Sequence, residues 1–230
     1  MPINWGAEIV GQLEFYWEAH LRPRLEGLTD DEYFWEPVPG CWSVRPGPEG
    51  SSLDWEYPEP VPPPFTTIAW RLVHIGGTLY ARANAFFGDG TGSAGADVSD
   101  RSQRPTDADM FDRRHLPSEV PGGAAAGIAL LEEGYRRWHD GVAALDEQAL
   151  ARPLGPKGVN YADYSMAALV LHLNREVMHH GGEIGVLRDL YRAEHGDSDR
   201  LISAGASDRP GAREPDRPGA RESGVPGNRR

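Results

Sequence analysis

Four stretches of this sequence carry apolar residues at every third or fourth position, and that spacing limits the possible folds more than any other feature of the chain. A helix turns about once every 3.6 residues, so the pattern gathers its apolar side chains on one face, which must be buried against a neighbour. The first stretch runs from Trp5 to about Leu28 through Ile9, Leu13, Tyr16, Trp17, Leu21 and Leu25, with Pro23 expected to kink it or end its regular part. The second opens at a capping threonine, Thr66 or Thr67, and runs to about Phe87, burying Ile68, Leu72, Ile75, Leu79 and Ala83. The third spans about Gly123 to Leu150, with Ile128, Leu131, Tyr135, Trp138, Val142 and Leu145 on one face. The fourth spans about Asp163 to Glu194 and includes Leu169, Leu173, Val177, Ile184, Leu187 and Tyr191. Four long amphipathic helices with little strand pattern predict an all-α four-helix bundle.

Between these helices the sequence changes character. Thr29 to Pro64 is rich in proline, with Tyr33, Phe34, Trp35 and Trp42 in its first half. Aromatic residues at that density are seldom left in water, so the segment is expected to form a long ordered loop packed on the bundle, with a short strand at Trp42 to Arg45. Residues 88–120 are Gly, Asp, Ser and Pro rich and predict a surface excursion. Within it, Gly90-Thr91-Gly92-Ser93-Ala94-Gly95 spells a dinucleotide-binding fingerprint. That motif works only between a strand and a helix that aim backbone N–H groups at a pyrophosphate, and this one follows a helix and precedes a polar loop, so a plain loop is expected. Residues 1–200 are assigned to the bundle domain and residues 201–230 to a disordered tail. There Asp-Arg-Pro-Gly-Ala-Arg-Glu occurs at Asp208–Glu214 and again at Asp216–Glu222, with too little apolar surface to offset the entropy of ordering.

Composition narrows the function classes. A formal charge of −12 would repel a phosphate backbone, so nucleic acid is not expected as a partner. No apolar run approaches the roughly 20 residues of a membrane-spanning helix, and no secretory signal is visible at the N-terminus, so a soluble, cytoplasmic protein is expected. The single cysteine, Cys41, can form neither an internal disulfide nor a thiolate zinc site, and a small half-buried loop thiol is the expected reading. Any metal must therefore be held by imidazole and carboxylate.

The segment Leu171-His172-Leu173-Asn174-Arg175-Glu176-Val177-Met178-His179-His180-Gly181-Gly182-Glu183 carries the chemistry. Residues four apart lie on one helix face about 6 Å apart along the axis, so Glu176 and His180 can point an oxygen and a nitrogen at one ion, with His172 and Glu183 extending the face. A third ligand must come from another helix. His74 is the candidate, because it stands between Val73 and Ile75 in an apolar run where an uncompensated imidazole is out of place. The spacing alone fits an ordinary hydrogen-bond network equally well. His20, His115, His139 and His195 are expected to be solvated.

The phrases Thr67-Ile68-Ala69-Trp70-Arg71-Leu72-Val73-His74-Ile75 and Asn174-Arg175-Glu176-Val177-Met178-His179-His180-Gly181-Gly182-Glu183-Ile184 resemble the two signature helices of the DinB/YfiT-like superfamily of four-helix-bundle metalloenzymes. The resemblance covers most of residues 5–195. It implies a divalent ion bound by one His of the second helix and two ligands a turn apart on a later helix, here His74, Glu176 and His180. Many members have His where this chain has Glu176, a change that makes the donor set harder and tilts it from nickel or copper toward zinc, iron or manganese, with zinc the first expectation. The resemblance further implies a transferase using a low-molecular-weight thiol such as mycothiol or bacillithiol on a small-molecule substrate held against Trp35, Trp42 or Trp70. His179 or Glu183 would then serve as base or orienting group. Metal-assisted hydrolysis and a non-catalytic binding or sensing module are the competing readings, and a homodimer is compatible with all three.

Overall fold

A computed structural model describes residues 3–88 and 108–196. The Gly90–Gly95 motif and the 201–230 tail lie outside the described residues. The chain falls into two units, Met1–Glu194 and His195–Arg230, and the described part of the second is no more than the end of the last helix and Gly196. The elements in order are α1 (Trp5–Tyr16), a wide π turn (Trp17–Leu21), α2 (Arg22–Leu25), α3 (Asp30–Phe34), β1 (Val44–Gly47), β2 (Gly50–Leu53), α4 (Ile68–Phe87), α5 (Ala124–Ala143), α6 (Glu147–Ala151) and α7 (Met166–His195). Among the described residues the architecture is an all-α bundle carrying one small two-stranded antiparallel hairpin. Among the described residues no helix is long and apolar enough to cross a membrane.

The first helix leaves regular α geometry ahead of Pro23, as expected, but it does not end there. It widens instead: the Arg22 N–H reaches back to the Trp17 carbonyl, giving the π turn just ahead of the proline. Proline has no N–H and its ring crowds the carbonyl four residues earlier, and an opened turn relieves both problems without ending the helix. The helix stops at Leu25 and not at Leu28, because Gly27 turns the chain at φ 69°. The third expected helix is two. Asp146 accepts from the Ala149 N–H and caps α6 separately, ending the continuous run at Ala143. The fourth begins later than expected, with the Ser165 hydroxyl accepting from Ala168 N–H at 3.2 Å.

The stripe expected for α4 is buried throughout, from Ile68 at 1% exposure to Ala83 at 3%. It meets Leu131, Trp138 and Val142 of α5, and Leu169, Leu173, Val177, Ile184 and Leu187 of α7, in one continuous core. Helices α4 and α5 approach unusually closely at Gly76, where a Cβ would lie 2.9 Å from the Leu131 backbone. Trp17 stacks on Tyr135 with ring centres 4.0 Å apart, closing the first helix on α5. Asn174 donates to the Ile9 carbonyl at 3.1 Å and Tyr16 O–H donates to the Met178 carbonyl at 3.1 Å, so α7 is keyed to α1 at two points.

The long loop is ordered through a hub at Asp54. Its carboxylate accepts from Ser43 N–H (2.9 Å) and Arg45 Nε (2.8 Å), and its carbonyl accepts from Trp70 Nε1 (2.9 Å). The strand expected at Trp42–Arg45 lies at Val44–Gly47 and pairs with β2, whose Gly-Ser-Ser-Leu carries no strong strand signal. Trp42 pairs instead with the segment leading into α4, its N–H donating to Phe65 O at 2.8 Å.

Candidate metal centre

Thr67 caps α4 by accepting from Trp70 N–H at 3.2 Å, and this fixes the phase of the helix that carries His74. With Val73 and Ile75 committed to packing, His74 falls on the edge that faces α7, where it is 25% exposed. On α7 the apolar positions Leu173, Val177 and Ile184 point to the core, leaving Glu176 and His180 on the adjoining stripe toward α4.

The three side chains converge. Glu176 Oε2 lies 3.6 Å from His74 Nε2 and 3.5 Å from His180 Nε2, and one ligand atom from each residue falls within 4.8 Å of the other two. Atoms held about 2.1 Å from a common tetrahedral centre stand roughly 3.4 Å apart, and the two separations measured from Glu176 fall close to that value. The donor set of two imidazoles and one carboxylate also suits a divalent ion, and all three side chains are partly exposed, at 25%, 29% and 16%.

The charges of the cluster reinforce one another. Contacts with His180 and His74 hold the Glu176 carboxyl well below the ordinary carboxylate range, against the opposing effect of burial. Burial alone would lower His180, but its contacts with Glu176 and Glu183 outweigh that and raise it. Glu183 is likewise drawn below its usual value, since Arg71 and His180 outweigh its burial. An ionised Glu183 has no proton to give, so the 2.7 Å contact between its Oε2 and His180 Nδ1 is a hydrogen bond donated by the imidazole. That bond leaves Nε2 as the ring nitrogen facing the cluster, the arrangement that imidazole ligands adopt.

His179 is 67% exposed, and its Nε2 lies 3.2 Å from Glu183 Oε1. His172 reaches the far oxygen of Glu176 at 3.7 Å. Trp70 stacks on His74 with ring centres 4.6 Å apart, and beyond it Trp42 and Trp55 continue an aromatic wall at 6.1 and 6.4 Å.

The profile of the DinB superfamily matches residues 12–184. The chain belongs to the DinB superfamily. No curated protein and no solved structure matches it significantly. The matched span contains the whole cluster, and the superfamily includes metal-dependent enzyme-like proteins.

Other expected placements differ. Trp35 is away from the cluster: it meets Tyr191 edge-on and lines an open groove of about 580 Å³ with Phe65, Leu190 and Ala193, some ten residues further along α7. His115 is not solvated but buried at 4% exposure. His139 is partly buried and lies 2.7 Å from Glu14. Cys41 is fully buried, its thiol donating to the Val38 carbonyl at 3.0 Å. Arg71, Asp54 and Trp55 were not marked by the sequence. Of these only Arg71 left a signal, a charged residue inside an apolar helical run.

Proposed function

We propose that this DinB-superfamily chain is a divalent-metal-dependent enzyme of the thiol-transferase kind, with His74, Glu176 and His180 as the ligands and zinc as the first choice of ion. Iron, manganese and nickel are the alternatives. The observation that carries the reading is the convergence of two imidazoles and one carboxylate from α4 and α7 beside a wall of tryptophans that opens to solvent. When bound, such an ion supplies Lewis acidity that favours the anion of a thiol or water next to it. The protein's own groups do the rest. Glu183 holds the His180 ring by its Nδ1 hydrogen, and Trp42, Trp55 and Trp70 offer an apolar face for a small electrophile. His179, exposed beside the cluster and donating its Nε2 hydrogen to Glu183 Oε1, would take the proton released from a thiol such as mycothiol or bacillithiol at Nδ1.

Elemental analysis of protein purified without a metal-binding tag tests the first claim, with about one divalent ion per chain expected. Circular dichroism with and without chelator tests whether the ion is part of a reactive site or of the scaffold. Retained helix with exchangeable metal supports the enzyme, because the continuous core buries its apolar stripes without help. Cooperative loss of helix on chelation would assign the ion to folding instead.

A further inference from the structure

We infer that Arg71 is a positioning residue of the metal site: it holds Glu183 where that carboxylate can fix the His180 ring, and so aims His180 Nε2 into the cluster. The inference rests on the proposed function. Arg71 lies in the first turn of α4, one turn before His74, and Glu183 lies one turn after His180 on α7. A second bridge between the two helices therefore runs alongside the three ligands. Its centre is a single atom. Glu183 Oε2 accepts from Arg71 Nε at 2.9 Å and from His180 Nδ1 at 2.7 Å, while Oε1 is left to the exposed His179.

The guanidinium is itself fixed. It is 4% exposed, donates through Nη1 to the Thr66 carbonyl, and lies 5.2 Å from the ring centre of Phe65. Glu183, by contrast, is 35% exposed and could turn toward water without a buried partner. An imidazole plane needs two directions to define it. For His180 one is the contact of Nε2 with Glu176 at 3.5 Å, and the other is the Nδ1 hydrogen bond that Arg71 secures. Partners one step out from a ligand typically change metal affinity by about 10- to 100-fold when removed. A lysine cannot replace the arginine, because one ammonium cannot span both Thr66 and Glu183 as the planar fork does.

The test is a competition titration of Zn²⁺ against a chromophoric chelator, together with the absorption spectrum of the Co²⁺ form, on the full chain. Wild type is compared with Arg71→Lys and Glu183→Gln. Both variants are expected to lose about 10- to 100-fold in Zn²⁺ affinity and to shift the Co²⁺ bands, with little change in the melting temperature of the metal-free protein. If Arg71→Lys does not fold, Arg71→Gln takes its place, since it removes the guanidinium that holds Glu183 and keeps a polar side chain near the Thr66 carbonyl. Wild type that binds metal, beside variants that bind within about two-fold with unchanged Co²⁺ bands, would overturn the positioning role and leave the proposed function standing. Wild type that binds no metal would overturn both.

Discussion

Helix α7 carries one partner of each of two arginine–glutamate bridges, and the two differ in kind. Arg188 pairs with Glu32 of α3 through both carboxylate oxygens, at 2.6 and 2.9 Å, and spends its remaining donor on the carbonyls of Arg24 and Glu26. Both side chains are almost fully buried, at 2% and 4% exposure. Arg71 and Glu183 also meet at hydrogen-bond distance, but there the carboxylate oxygen that takes the arginine takes an imidazole as well. The first bridge is saturated from within, so its role is complete once the chain is folded. The second is one link of a network that ends on the partly exposed side chains of His74, Glu176 and His180, and its role points outward.

The largest expected effect belongs to the saturated bridge. Arg188→Met leaves Glu32 buried without a counter-charge, which typically costs about 3–5 kcal/mol. For a domain of this size that corresponds to a fall in melting temperature of roughly 10 °C or more. Adding Glu32→Leu should recover much of the loss, since a packed apolar pair is often as stable as a buried ion pair. Zn²⁺ affinity in whichever variant remains folded should stay near the wild-type value. A melting temperature unchanged by Arg188→Met, or a large loss of affinity with it, would erase the distinction between the two bridges.

The comparison also shows what could be seen in the sequence. The four helices, the stripe of α4 and the trio His74, Glu176 and His180 follow from periodicity, from the i and i+4 rule, and from an imidazole misplaced in an apolar run. Glu32, Arg188 and Arg71 did not follow, because a charged residue in an amphipathic pattern is expected on the wet face unless its partner is known. Those partners lie more than a hundred residues away in the chain: 156 for Arg188 with Glu32, and 112 for Arg71 with Glu183. The split of α5 from α6 turned on one aspartate whose side chain caps a new helix. The aromatic wall depends on Asp54 as a hub, which local spacing does not encode.

Second in size is the effect of Glu176→Gln. It replaces the anionic ligand with a neutral one and is expected to weaken Zn²⁺ binding by at least about 10- to 100-fold while leaving helix content unchanged, read by titration and circular dichroism. The same variant exposes a pH dependence in the metal-free protein. The folded state lowers the Glu176 pKa from its ordinary 4.5, so its stabilising contribution is present above that value and is lost as pH falls through the depressed one. It raises that of His180 from 6.5, so the histidine's contribution is full below 6.5 and is lost as pH rises through the raised value. The two overlap between 4.5 and 6.5. The stability difference between wild type and Glu176→Gln, measured by denaturant titration without metal, should therefore be greatest in that window and shrink toward pH 8. A flat profile for Glu176 would mean that its imidazole neighbours do not sense its charge.

The smallest effect concerns the two glycines between His180 and Glu183. A Cβ at Gly181 would lie 2.6 Å from the Tyr16 hydroxyl and 3.2 Å from Leu21 Cδ1, against the π turn of the first helix. At Gly182 a Cβ would meet nothing within 4 Å. Mid-helix glycine costs roughly 0.5–1 kcal/mol relative to alanine, because it has more conformational freedom to lose. Gly182→Ala should thus raise stability by about that amount, while Gly181→Ala lowers it by displacing the hydroxyl that donates to Met178 O. If Arg71, through Glu183, is what aligns His180, stiffening the helix at Gly182 should leave Zn²⁺ affinity within about two-fold of wild type. A clear gain in affinity from Gly182→Ala would instead show that the backbone between the two residues limits their alignment, and that the side-chain bridge follows the helix and does not fix the ring.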